Sequence, residues 1–113
     1  AVVAAFAAGT TIIADAKELR VKESDRIATI SHFVRDMGTD VEEREDGMII
    51  HGGRALRGTD VDSHGDHRVA MSAAVAALAA GVENRIHGAE CIATSFPSFT
   101  SLTRELGAVI EER

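Results

Sequence analysis

Between Asp66 and Gly81 the chain reads "DHRVAMSAAVAALAAG", which beyond Arg68 is apolar on almost every side of a helix. A helix with no polar face has to lie between other layers of structure, because no orientation at a surface hides its apolar residues. Asp66 is placed to cap its start and Gly81 to end it. The apolar run, residues 69–82, is interrupted by Ser72 and Gly81 and is too short to span a bilayer. The fold must therefore supply something to cover this helix.

The remaining sequence alternates strand and helix signals. "AVVAAFAAG" reads as a helix stopped by Gly9, and "TTIIAD" as a short buried strand of β-branched residues. Ile27, Ile30, Val34 and Met37 recur at spacings of three, four and three, which predicts a helix with Ser24 as N-cap and Gly38 as stop. "DVEERE" and "GMIIHG" flank an Asp46-Gly47 hairpin signal. "TDVDS", "ENRIHG", "ECIAT" and "AVIEE" read as further strands. "PSFTSLTRELG" reads as a helix with Pro97 in its first turn and Phe99, Leu102 and Leu106 at helical spacing. Such alternation, with one hairpin, places the chain in the α/β class with mixed pairing. Four Phe and no Trp or Tyr leave a core of closely packed Ala, Val, Ile and Leu, with helices tight on a sheet. The 113 residues make one domain at most, burying about 65% of their unfolded surface.

A net charge of −6 excludes a general nucleic-acid or anionic-membrane binder, since either needs a broad basic face. Any affinity for anions must be local. The lone Cys91 matches no disulfide, metal or redox spacing and reads as a small buried thiol. With no signal peptide visible, a cytoplasmic location is expected.

Three times a strand or loop leads into a helix whose opening is polar: "KESDR", "GDHR" and "TSFPS". If those helices share one polarity, their N-termini converge on one edge, which presents unpaired N–H groups and attracts anions. Lys22 and Arg26 bracket one helix start and Arg68 sits in the first turn of another, where each cation opposes the helix dipole by up to about 1 kcal/mol. Either Glu23, Asp25 and Asp66 neutralise them locally, or an anionic ligand fills the space between the helix ends. Arg suits bidentate contact with carboxylate or phosphate, and Lys supplies a point charge. Glu23 is either a solvated helix-entry carboxylate or a proton shuttle, and the second role requires bound anions that offset the cations beside it.

"DVDSHGDHR" invites a metal reading. Asp60, Asp62 and Gly65 match positions one, three and six of a calcium loop, but Met71 stands where the closing carboxylate belongs. His64 and His67 lack a third zinc ligand at a recognised spacing, so no metal is expected. His32, His51 and His87 read as surface or edge residues.

"LRVKESDRI", "GDHRVAM" and "IATSFPSF", in this order and at these intervals, closely resemble the end of the 5-enolpyruvylshikimate-3-phosphate synthase family, a likeness running from Ala5 to Glu111. The resemblance implies a two-domain enzyme, each domain built from three βαβαββ units, with helix N-termini facing the interdomain cleft. The implied reaction moves the enolpyruvyl group of phosphoenolpyruvate onto the 5-hydroxyl of shikimate 3-phosphate and releases phosphate through a tetrahedral intermediate, with no metal or organic cofactor. By this resemblance Glu23 delivers a proton to the methylene carbon of phosphoenolpyruvate and Lys22 contacts shikimate 3-phosphate. Arg26 and Arg68 hold phosphoenolpyruvate, with His67 beside them as a lesser contact. Glu18 stands where some members have an asparagine near the shikimate phosphate, and Thr94 where some place a lysine near phosphoenolpyruvate. The family's aspartate base would fall before Ala1, so residues 1–113 are expected to be the C-terminal portion of a single domain, inactive without the rest. Two other readings remain: a fragment of UDP-N-acetylglucosamine enolpyruvyl transferase, which shares the architecture, and a non-catalytic anion-binding module. "KESDRI" together with "DHRVAM" favours the shikimate branch.

Overall fold

The computed structural model describes Ala1–Arg113. The chain runs α1 (Val2–Phe6), β1 (Gly9–Ile13), a 3₁₀ turn (Lys17–Val21), α2 (Arg26–Asp36), β2 (Asp40–Arg44), β3 (Gly47–Gly52) and β4 (Asp60–Asp62). It continues through α3 (His67–Ala80), β5 (Arg85–His87), a second 3₁₀ turn (Ala89–Cys91), α4 (Ile92–Ser95) and α5 (Phe99–Glu105). β3 lies between β1 and β2 and is antiparallel to both, while β4 and β5 form a separate parallel pair. Since α2 joins β1 to β2, two like-directed strands with β3 inserted between them, this half is a split βαβ crossover. The order α1-β1-α2-β2-β3 followed by β4-α3-β5-α4-α5 fits parts of two successive βαβαββ units, with α4 a single added turn.

Burial is concentrated on the central strand β3, whose alternate side chains turn to the covered face, while β2 buries only Val41 and β1 no residue. Val41, Met48 and Ile50 face the core while Ile12 is left exposed. α2 adds Ile27, Phe33 and Val34 to that core, followed by Met37 at its C-cap, and α3 adds Val69, Ala73 and Ala76. Each large side chain buried here stabilises the fold by about 1.5–3 kcal/mol. The expected Leu is missing: Leu19 and Leu56 pack only at the margin, and Phe33, Met37 and Met48 supply the bulk instead. α3 is covered where it meets α1, α2, β4 and β5, yet Val75 and Leu78 stay 44% and 40% exposed, so it is not enclosed all round.

Several boundaries differ from the sequence reading. Asp25, not Ser24, caps α2, its Oδ1 accepting from the Ala28 N–H at 3.0 Å. The hairpin turn falls at Glu45 and Asp46, and Gly47 already pairs with Arg44. "ECIAT" is no strand: Gly88, at φ 72°, turns the chain, and the 3₁₀ turn and α4 follow. "AVIEE" has no neighbouring strand to complete a ladder and forms none. Pro97 precedes the N-cap Ser98 rather than entering α5, and Leu102 on that helix and Leu106 at its C-cap are exposed.

Candidate active site at two helix starts

The first turns of α2 and α3 meet through one carboxylate. Asp66 is fully buried. Its Oδ2 accepts from Arg26 Nε at 2.8 Å and Ser24 Oγ at 2.7 Å, while its Oδ1 accepts from Arg26 Nη2 at 3.3 Å and the Arg68 N–H at 3.0 Å. A single residue thus caps α3, orients the first residue of α2 and fixes the loop before it. Burial opposes ionisation of Asp66, but the Arg26 guanidinium, the Ser24 hydroxyl and the Arg68 N–H outweigh it and hold the carboxyl below its ordinary value. The loop before α3 is equally constrained. Ser63, also fully buried, donates to His87 O at 2.8 Å, and the His64 N–H donates to Asp62 Oδ1 at 2.8 Å, with His64 itself at φ 52°.

Glu23 is half exposed, and its Oε2 accepts from His67 Nδ1 at 2.7 Å. With an ionised carboxylate the ring must donate from Nδ1. Of the three carboxylates expected to neutralise the junction, then, only Asp66 takes one of its cations. Asp25 is claimed by Arg20 at 3.1 Å, and Glu23 by His67. Burial opposes ionisation of Asp25 too, but the Ala28 N–H and Arg20 hold its carboxyl below the ordinary range. Lys22 and Arg68 have no ion pair and no side-chain hydrogen bond. Arg26 keeps Nη1 and its two N–H groups unpartnered. Local pairing therefore neutralises part of the junction and leaves two cations and part of a third without a partner.

The contacts bring Glu23, Arg26 and His67 together around Ser24 and Asp66, and Lys22 and Arg68 are their exposed neighbours along the chain. The third polar opening, "TSFPS", does not join: it spans the end of α4 and a turn, and its side chains bond to none of these residues. Glu23, Asp66 and His67 each bring one donor atom within 4.8 Å of the others, a spacing a cation can use. Those atoms are already engaged by Arg26, Ser24, the Arg68 N–H and one another. Asp66 is read from the sequence both as the cap of α3 and as one of three carboxylates able to neutralise the junction, and the contact shows which cation it takes, Arg26, 40 residues earlier.

A family model described as EPSP synthase (3-phosphoshikimate 1-carboxyvinyltransferase) matches residues 1–102. The chain belongs to the EPSP synthase family. It is 55% identical over 102 residues to the 3-phosphoshikimate 1-carboxyvinyltransferase of Pelotomaculum thermopropionicum, a match covering 90% of this chain and 24% of that one. It is likewise 55% identical over 106 residues to that of Synechococcus elongatus, covering 94% and 24%. A crystal structure of EPSP synthase from Acinetobacter baumannii superposes with a TM-score of 0.90 at 43% identity, covering 97% of this chain and 26% of that one. The chain thus spans about a quarter of the length of the EPSP synthases it matches. No helix is long and apolar enough to cross a membrane.

Proposed function

We propose that residues 1–113 are the C-terminal portion of one domain of a two-domain, cytoplasmic 3-phosphoshikimate 1-carboxyvinyltransferase. The reaction transfers the enolpyruvyl group of phosphoenolpyruvate to the 5-hydroxyl of shikimate 3-phosphate and releases phosphate. The observation that supports this most is the junction itself: two helix starts tied by Asp66, with Lys22 and Arg68 left unpaired in a chain of net charge −6. Both substrates are phosphorylated anions, and fixed cations beside helix N-termini stabilise bound anions and charge that develops during addition.

In this reading Arg68 and the unpartnered Nη1 of Arg26 hold phosphoenolpyruvate, and Lys22 meets shikimate 3-phosphate. Glu23 delivers a proton to the methylene carbon, and His67 fixes the carboxyl that does so. Asp66 orients Arg26 without touching either substrate. The aspartate base and the second domain come from chain outside these residues, so the segment alone binds anions without turnover. No cofactor, nucleic acid or membrane partner enters.

The test grafts residues 1–102 in place of the matching segment of the Acinetobacter baumannii enzyme and measures phosphate release with both substrates. The chimera is expected to turn over, and Glu23→Gln to lower kcat about 100-fold or more while changing the KM values little. A folded chimera whose Glu23→Gln variant keeps near-normal turnover contradicts the acid role.

A further inference from the structure

Lys22 and Glu23 sit on a loop that belongs to no helix or strand. The side-chain contacts that fix residues 21–25 are few: Glu23 with His67, Ser24 with Asp66, Asp25 with the Ala28 N–H, and Arg20 with Asp25. Arg20 reaches further than the rest. Its Nη1 donates to Asp25 Oδ2 at 3.1 Å and Glu43 Oε2 at 2.9 Å, its Nε donates to Glu45 O at 3.1 Å, and its Nη2 donates to Arg44 O. One guanidinium thus fastens the end of the 3₁₀ turn to the cap of α2 and to the β2–β3 turn. A planar fork with five donors can meet carboxylates and carbonyls together, which a lysine ammonium on a flexible stem cannot reproduce.

The site is accordingly held at two separate points. Asp66 fixes Arg26, the Arg68 backbone and, through the Ser24 hydroxyl, one point of the loop, whereas Arg20 holds the loop that carries Lys22 and Glu23 at Asp25 and ties it to the end of β2. We propose that Arg20 is a positioning residue for the Lys22 and Glu23 half of the site, acting through Asp25 and the end of β2 in addition to the Asp66 contacts that set the Arg26 and Arg68 half. The clamp is a matter of geometry; its kinetic consequence rests on the enolpyruvyl-transfer reading above.

Arg20→Gln and Arg20→Lys in the chimera test it. Both are expected to lower kcat by about 10- to 100-fold and to raise KM for shikimate 3-phosphate, while KM for phosphoenolpyruvate stays within about 2-fold. Asp66→Asn is expected to raise KM for phosphoenolpyruvate instead. Unchanged kinetics in Arg20→Gln overturn the proposal, as do equal changes in both KM values or a loss of kcat that only tracks the folded fraction. Amide hydrogen exchange on the 113-residue chain gives a readout that needs no turnover. In Arg20→Gln, residues 21–25 are expected to exchange faster while α3 is unchanged; uniform acceleration, or none, overturns the positioning role. An unsubstituted chimera without activity, combined with exchange changes confined to residues 21–25, counts against enolpyruvyl transfer and upholds the clamp.

Discussion

At the scale of single residues, Asp66 decides the geometry of the site. It is a fully buried carboxylate with four hydrogen-bond donors around it, and Arg26, its charge partner, is only 12% exposed in its side chain. Removing one member of such a pair leaves the other charge buried without compensation. Asp66→Ala is therefore expected to lower the unfolding free energy by about 3–5 kcal/mol, measured by urea titration of the chain. The same contacts set a pH dependence. Because the folded carboxyl titrates below its ordinary value of 3.8, Asp66 stabilises the fold above that value. The contribution is lost as pH falls from 3.8 through the lower folded value. Asp25 is shifted the same way and adds to the same acid window. An Asp66→Asn variant should lose stability less steeply than the parent over that window, and a parallel acid-unfolding curve would contradict the assignment.

At the scale of elements, residues whose pattern is local were readable and those that depend on a distant partner were not. The periodicity of Ile27, Val34 and Met37 located α2, the apolar run after Arg68 located α3, and Asp46-Gly47 located the hairpin to within one residue. "ECIAT" and "AVIEE" carry strand-like composition, but a strand exists only where a neighbour accepts its hydrogen bonds, and neither has one. The N-cap of α2 was misplaced by one position for a related reason. Ser24 and Asp25 are both good caps, and the choice was made by Asp66, which takes the Ser24 hydroxyl from 42 residues away. Asp25→Ala should destabilise α2 by about 1 kcal/mol, visible as a lower urea midpoint at unchanged slope. Gly47 shows the sheet's tolerance from the other side. A Cβ there would stand 1.8 Å from the Ile13 carbonyl oxygen, just past the end of the β1–β3 ladder. Gly47→Ala is therefore expected to cost about 3 kcal/mol through backbone displacement, and a neutral effect in the same urea titration would show that the strands are not so closely apposed.

At the scale of the whole molecule, a net charge of −6 coexists with a local cationic junction, and the two act at different ranges. The excess of acidic side chains is screened over about 10 Å at ordinary ionic strength, whereas under the proposed function the cations act on an anion in direct contact. The candidate residues Lys22, Glu23, Arg26, His67 and Arg68 are pointed to by two of the three ordered motifs, "LRVKESDRI" and "GDHRVAM". Arg20 as a clamp was not legible, since it acts through Glu43, 23 residues away in sequence, and which cation Asp66 takes stayed open because Arg26 lies 40 residues earlier. The central claim is that two helix starts form one anion pocket. Titrating the isotope-labelled chain with inorganic phosphate and following its amide resonances tests this directly. Residues 22–26 and 66–68 are expected to shift together along one saturating curve that weakens as sodium chloride is raised. Shifts confined to other surfaces, or two segments responding with different affinities, would show that no shared pocket exists.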